Sequence, residues 1–267
     1  MITNRQIDDW SRDGFLHVPG FLRDAALDEV LEVVDEIGRR ADGDRELIQH
    51  YELTEHGVQI CRSEHLIEGH PVLRSLLTDG TMQEMAGSLL GEPAVLYKEK
   101  INYKLPGGAG FAPHQDAPAY PFIDVHTTCM VALDDSTIDN GCLEVVSGRH
   151  GEVLPMDDEG CIRDHLVEDM TWTPVPVAAG DLLWFHSRAP HRSGANTSIL
   201  RRRAMFCTYN AASQGDLRDA YYAEKLAVFA NSAAGERTRV SLIGDFQGAA
   251  PSPEQIREHE RRLAEGS

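Results

Sequence analysis

From Ala94 to Tyr209 the chain breaks into short alternating segments, each ended by Gly, Pro, Asp or Asn. Segments 95–103, 125–133, 142–146, 172–177, 181–186 and 203–209 carry the two-residue period of strands. Ala179-Gly180-Asp181 makes a tight turn between two of them. Strands this many and this closely punctuated predict a barrel or a double-sheet jelly roll, mainly β with flanking helices.

The stretch before Ala94 reads differently. Thr3-x-x-Gln6 is a capping box that starts a short helix through Trp10. Residues 14–20 form a short strand and turn. Ala26, Leu27, Val30, Leu31, Val34 and Ile37 recur at helical spacing, with acids opposite, and predict an amphipathic helix over 24–41. Two further helices are expected at 71–79 and 81–90, and a charged one starts at Ser252. No internal repeat or low-complexity linker divides the chain, so one domain over 1–267 is expected. In it a helix-rich part, 1–93, packs on a β core, 94–225, followed by a helical segment, 226–267.

Within the strand-rich part, His114-Gln115-Asp116 lies in one segment, and His191 comes far downstream, followed eleven residues later by Arg202. Two imidazoles and one carboxylate on one face of an octahedral metal, with three positions open, are the ligand set of non-heme Fe(II) oxygenases. If the segment around His114 is a strand, residues i and i+2 share a face about 6.5–7 Å apart, so His114 and Asp116 converge on one ion. A lone His-x-Asp carries little weight in a chain with 12 His and 43 acidic residues. His186 competes with His191 for the distal position. The arginine beyond His191, a clamp for a dicarboxylate co-substrate, decides for His191.

A net charge of −18 argues against nucleic acid and anionic membrane, both of which need basic patches. It leaves room for an anionic or zwitterionic small substrate, because a few buried cations dominate one pocket. The hydrophobic share of 42% and charged share of 25% are those of an ordinary globular protein. Five cysteines without a CxxC pair fit a reducing compartment. With no apolar signal region and no stretch long enough to span a bilayer, the expected location is the cytoplasm.

Pro113-His114-Gln115-Asp116, then Asn140-Gly141-Cys142-Leu143-Glu144, then Gly180-Asp181 and His191-Arg192-Ser193-Gly194-Ala195-Asn196 with Arg202, resembles the phytanoyl-CoA dioxygenase family over roughly residues 95–225. Ser147-Gly148-Arg149-His150 departs from the Pro-Gly-Ser-His of many members, which touches loop detail rather than chemistry. The resemblance implies a double-stranded β-helix that uses Fe(II), 2-oxoglutarate and O2, releases succinate and CO2, and hydroxylates a substrate C–H bond. His114, Asp116 and His191 would hold the iron. Arg202 would pair with the distal carboxylate of 2-oxoglutarate in a bidentate geometry that lysine cannot reproduce. Asn102, Thr128 and Ser193 match positions that hydrogen-bond the co-substrate. Halogenases of the superfamily lack the carboxylate ligand, so Asp116 favours hydroxylation.

Strand alternation puts Lys98, Lys100 and Asn102 on one face. The segments around Lys98–Lys104 and Thr208–Lys225 are similar to the branch that hydroxylates aminoalkylphosphonates such as 2-aminoethylphosphonate. The two lysines would neutralise a phosphonate, with Arg192 or Arg201 nearby, while Tyr120, Tyr209 or an acid holds the ammonium. Other readings stay open at this point: hydroxylation of an amino acid or of an acyl or carrier-bound substrate, a non-catalytic metal-binding β-barrel, and a zinc hydrolase or isomerase.

Overall fold

The computed structural model describes residues 2–39, 47–120, 123, 125–231, 240–241 and 243–265. Helix α1, Asn4–Asp13, starts as the capping box requires. The Gln6 amide donates to Thr3 Oγ1, and the Thr3 amide donates to Gln6 Oε1 at 2.9 Å. Strand β1, Phe15–Val18, and helix α2, Asp24–Arg39, follow. Positions 40 and 41 of the expected second helix lie outside the described residues. The strands β2, Ile48–Thr54, and β3, Gly57–Glu64, form a hairpin ahead of α3, Pro71–Thr78, and α4, Thr81–Leu90.

That hairpin departs from the expectation: the part before Ala94 is helix-rich as predicted, with the strand at 14–20, but it carries two further strands. Strand β2 is buried from Ile48 to Glu52, and Gln49, His50, Glu52, Arg62, Ser63 and Glu64 are all inside. Polar residues on buried faces erase the apolar/polar alternation by which a strand is read.

The strands β4, Ala94–Lys104, β5, Phe111–His114, β6, His126–Ala132, and β7, Leu143–Val145, come next. After the short helix α5, Asp164–Glu168, come β8, Thr173–Val175, β9, Leu182–His186, β10, His191–Ser193, and β11, Arg202–Ala211. The chain ends in α6, Arg218–Asn231, and α7, Pro253–Glu265. Seven strands in the order β1-β9-β6-β11-β4-β3-β2 make a major sheet, and four in the order β5-β10-β7-β8 make a minor one. This is the double-sheet jelly roll rather than a closed barrel.

One core fills the space between the major sheet and the N-terminal helices, with Val34, Ile37, Leu73, Leu77 and Met82 meeting Met205, Cys207 and Tyr209. The other lies between the sheets, where Met130, Leu183, Phe185 and Phe206 meet Leu143. Strand β11 is buried along its whole length. One of its faces therefore serves the helices and the other serves the space between the sheets.

The segment after residue 240 is not wholly helical. Phe246 and Ala249 make antiparallel bridges to Phe111 and Leu53. The Ala112 amide donates to the Asp245 carbonyl at 2.7 Å. A stretch of tail thus extends the minor sheet beyond β5.

Candidate active site

His114 ends β5, and its partner across the ladder in β10 is His191. Cross-strand partners share a face, and the two rings stand 4.1 Å apart between centroids. Asp116 arrives by another route than strand alternation. The strand stops at His114, and Asp116 lies in the helical region (φ −71°, ψ −30°) as the cap of a single 3-10 turn, Ala117–Ala119. This turn brings its Oδ1 to 3.9 Å from His114 Nε2. Gln115 pins the turn: its Oε1 accepts from the Leu154 amide at 2.8 Å, and its Nε2 donates to the Glu152 carbonyl at 3.0 Å.

Each imidazole is oriented by its other nitrogen. His114 Nδ1 donates to the Ala112 carbonyl at 2.7 Å and His191 Nδ1 to the Ala189 carbonyl at 3.0 Å, which turns both Nε2 atoms toward Asp116. Burial pulls His191 down to about 4, so at neutral pH it is the free base that a metal binds. One ligand atom from each of the three residues lies within 4.8 Å of the others. Donors about 2.1 Å from a shared ion stand at most about 4.2 Å apart, so small side-chain rotations close the set on one metal.

Below the triad the pocket runs between the sheets. Arg202 is 1% exposed, and its Nη2 donates to the Gly141 carbonyl at 2.7 Å. Its Nε has no partner among the described residues. Burial pushes it down to about 10, which leaves it charged. The flanking arginines are spoken for: Arg203 pairs with Asp134 and Asp35, and the half-exposed Arg201 stands near the same two acids. Gly141 has φ +80°, and a Cβ there would meet the Gly194 carbonyl oxygen at 2.3 Å. Only glycine lets that backbone reach Arg202.

The other positions expected for the co-substrate line the same pocket. Thr128 Oγ1 donates to Asp116 Oδ2 at 3.3 Å and faces Thr208 Oγ1 at 3.1 Å. Ser193 Oγ accepts from Lys104 Nζ at 2.8 Å. Asn102 Oδ1 accepts from Arg62 Nε at 2.9 Å. Lys98 and Lys100 are also at the pocket, without a carboxylate in ion-pair reach among the described residues. Burial, with Arg62 adding, pulls Lys100 down to about 8, and burial with Lys100 beside it pulls Lys98 well down.

Several expected roles change. The Tyr120 ring lies under Lys98 Nζ, 3.9 Å from its centroid, so it holds the lysine. Tyr209 faces the helices, with its hydroxyl donating to the Leu77 carbonyl at 3.0 Å. Arg201 lies with Asp35 and Asp134 away from the pocket, whereas Arg192 borders the pocket as expected but is paired with Glu144 at 2.8 Å. His186 packs against Trp10 and His150. In the departing loop, Ser147 Oγ donates to Asp13 Oδ1 at 2.7 Å, which ties it to the end of α1.

The sequence reading missed Lys104, Thr208, Phe206 and Asp245. Alternation from Arg202 puts Phe206 and Thr208 on its face, so that signal was present. For Asp245 there was none.

A pair of facing sheets with two imidazoles and one acid at the open side, and a buried guanidinium below, defines the class: a non-heme Fe(II)- and 2-oxoglutarate-dependent dioxygenase. Comparison with known proteins agrees. The family model described as phytanoyl-CoA dioxygenase matches residues 10–204, and the chain belongs to that family. It is 44% identical over 250 residues to the methylphosphonate hydroxylase of Gimesia maris, covering 92% of this chain and 96% of that one. To the 2-aminoethylphosphonate dioxygenase of an uncultured bacterium it is 38% identical over 232 residues, covering 85% and 88%. Among solved structures, the epimerase SnoN from nogalamycin biosynthesis is 27% identical with a TM-score of 0.64, covering 78% and 80%. EctD from S. alaskensis shares the fold with a TM-score of 0.70 at 21% identity, covering 80% and 77%. No described helix is long and apolar enough to cross a membrane.

Proposed function

We propose that this protein hydroxylates a C–H bond of a small organophosphonate, with 2-oxoglutarate consumed to succinate and CO2. The observation that carries the reading is a surplus of buried cations. Arg202, Lys98 and Lys100 all border one pocket beside the His114, Asp116, His191 triad, and none has a carboxylate within ion-pair distance among the described residues. The lysines meet the Tyr120 and Phe206 rings and Arg202 the Gly141 carbonyl, so a bound anion would favour the charged form that burial opposes. Buried charge without a partner is costly, so the pocket is built to receive anions. Two are needed: the co-substrate dicarboxylate at Arg202 and a phosphonate at the lysines. The 44% and 38% identity to proteins named for methylphosphonate and 2-aminoethylphosphonate supports this choice.

His114, Asp116 and His191 hold the metal, and Thr128 orients Asp116 through its second oxygen. Iron with 2-oxoglutarate supplies the activation of O2. Arg202, aided by Asn102, Thr128 and Ser193, fixes the co-substrate. Lys104 holds Ser193 in place. Lys98, backed by the Tyr120 ring, and Lys100 would hold the phosphonate beside the metal-ligand triad, and Phe185 and Phe206 line the wall between the sheets and exclude water there. All five cysteines are free and buried, which supports a reducing, cytoplasmic setting. The whole chain acts as one catalytic domain in this reading.

Anaerobic Fe(II) with 2-oxoglutarate is expected to give a weak visible charge-transfer band that Zn(II) does not give. Adding a small phosphonate and O2 should then release succinate with a hydroxyphosphonate visible by phosphorus NMR. A missing band at saturating iron and co-substrate would remove the oxygenase reading; a band without phosphonate turnover would remove the substrate.

A further inference from the structure

Asp245 projects into the pocket from the tail segment that extends the minor sheet, and it is 3% exposed. Its position is held from both sides. The Ala112 amide donates to its carbonyl, the Gln247 amide donates to the Gly110 carbonyl at 3.1 Å, and the Phe111 and Phe246 rings pack 5.2 Å apart. Asp245 Oδ1 is buried with no hydrogen-bond partner among the described residues. Oδ2 has one close neighbour, His114 Nε2 at 3.3 Å.

That nitrogen is the one a metal takes, since His114 Nδ1 is committed to the Ala112 carbonyl. A metal on that nitrogen would take away the ring as a hydrogen-bond donor to Oδ2. It would leave a buried carboxylate whose charge is met by the metal and by Lys100 across the pocket but whose two oxygens lack a donor among the described residues. Such a group calls for a charged hydrogen-bond donor from a ligand. Asp245 is also outside the set whose ligand atoms converge, which separates it from the metal ligands proper. It shares the pocket with Lys98 and Lys100. A bare phosphonate drawn to the lysines would be repelled by this acid. A phosphonate that carries its own ammonium would satisfy both ends.

We infer that Asp245 is the ammonium-recognition residue of the site, and that the preferred substrate is a zwitterionic aminoalkylphosphonate with its phosphonate on Lys98 and Lys100. This rests on the organophosphonate reading given above. Tyr120 is the weaker candidate for that role, because its ring already carries Lys98 and does not line the pocket.

The test uses the full chain loaded anaerobically with Fe(II) and 2-oxoglutarate, and reads binding from the perturbed visible band without turnover. The ligands are 2-aminoethylphosphonate and propylphosphonate, which replaces the ammonium by a methyl group. The wild-type protein should prefer the amino compound by at least about thirtyfold, the loss seen when a buried charge pair is cut. Asp245→Asn should remove most of that preference by weakening 2-aminoethylphosphonate, while propylphosphonate binds as well as before or more tightly and Fe(II) affinity holds within about twofold. Equal affinity of the wild-type protein for the two ligands overturns the assignment, and this comparison needs no variant to fold. Parallel loss of both ligands in Asp245→Asn, or weakened Fe(II) binding, overturns it as well, by making Asp245 a support of the metal site. If neither phosphonate perturbs the wild-type band, the organophosphonate reading itself falls, and the assignment with it.

Discussion

Neighbouring residues of β4 carry buried charges that are wired in opposite ways. Glu99 turns to one side and is saturated: Arg218 donates to both its oxygens at 2.6 and 3.0 Å, and the Leu66 amide donates at 2.8 Å. Arg218 also reaches Glu68 at 2.8 Å, so the cluster clamps α6 to the sheet. Lys98 and Lys100 turn to the other side and meet aromatic rings, Tyr120 at 3.9 Å and Phe206 at 5.5 Å, in place of carboxylates. In the proposed reading, closed charge clusters hold the fold and open ones take a ligand. The arginines of β11 repeat the contrast, with Arg203 closed by Asp134 and Asp35 and Arg202 open.

Breaking the closed cluster should have the largest effect on stability. Arg218→Ala leaves Glu99 buried and short of its cation, and should cost about 3–5 kcal/mol of unfolding free energy in urea. The 2-oxoglutarate requirement of the folded fraction should stay as it was. If stability holds, the closed set is not structural.

Opening the contrast from the other side, Arg202→Ala should raise the 2-oxoglutarate requirement at least about tenfold, because a desolvated charge pair with the co-substrate is lost. Arg203→Ala is the control and should destabilise without moving that requirement. An unchanged requirement in Arg202→Ala would shift the clamp to a neighbour. Lys98→Ala and Lys100→Ala should each weaken binding of an anionic substrate by about tenfold, again the loss of a charge pair, yet spare the uncoupled consumption of 2-oxoglutarate. Equal loss of both activities would mean that the lysines support the site rather than read the substrate.

The smallest effect concerns a closed carboxylate that does not line the pocket. Burial alone would raise Asp181, but the amides of Gly20 at 2.7 Å and Ala178 at 3.0 Å and the side chain of His17 at 2.8 Å hold it below the usual carboxylate range. A carboxyl depressed in the folded state stabilises above its unfolded pKa and loses that contribution as pH falls through the folded value. Asp181→Asn should therefore lower stability by about 1 kcal/mol at neutral pH and flatten the acid limb of the stability curve below about pH 4. A parallel acid limb in the variant would count against this account.

The β core was legible because its strands alternate on a scale of a few residues. The face shared by Lys98, Lys100 and Asn102 follows from that period, and all three border the pocket. The hairpin of β2 and β3 was not legible, because its buried faces carry His50, Glu52, Arg62 and Glu64. The roles of Tyr120 and Tyr209 depended on what each ring meets, which strand period does not encode.

What the sequence alone determined was the chemistry on offer and its local phase: two histidines, an acid and an arginine in order along short strands, with lysines in step. The tertiary structure decided how they meet. It placed Asp116 by a 3-10 turn, set His191 opposite His114, closed Arg203 and left Arg202 open, and delivered Asp245 from the tail. The reason is range. Alternation and capping are settled within a few residues, whereas ladder register and the pairing of buried charges join positions tens to more than a hundred residues apart, as Glu99 and Arg218 do.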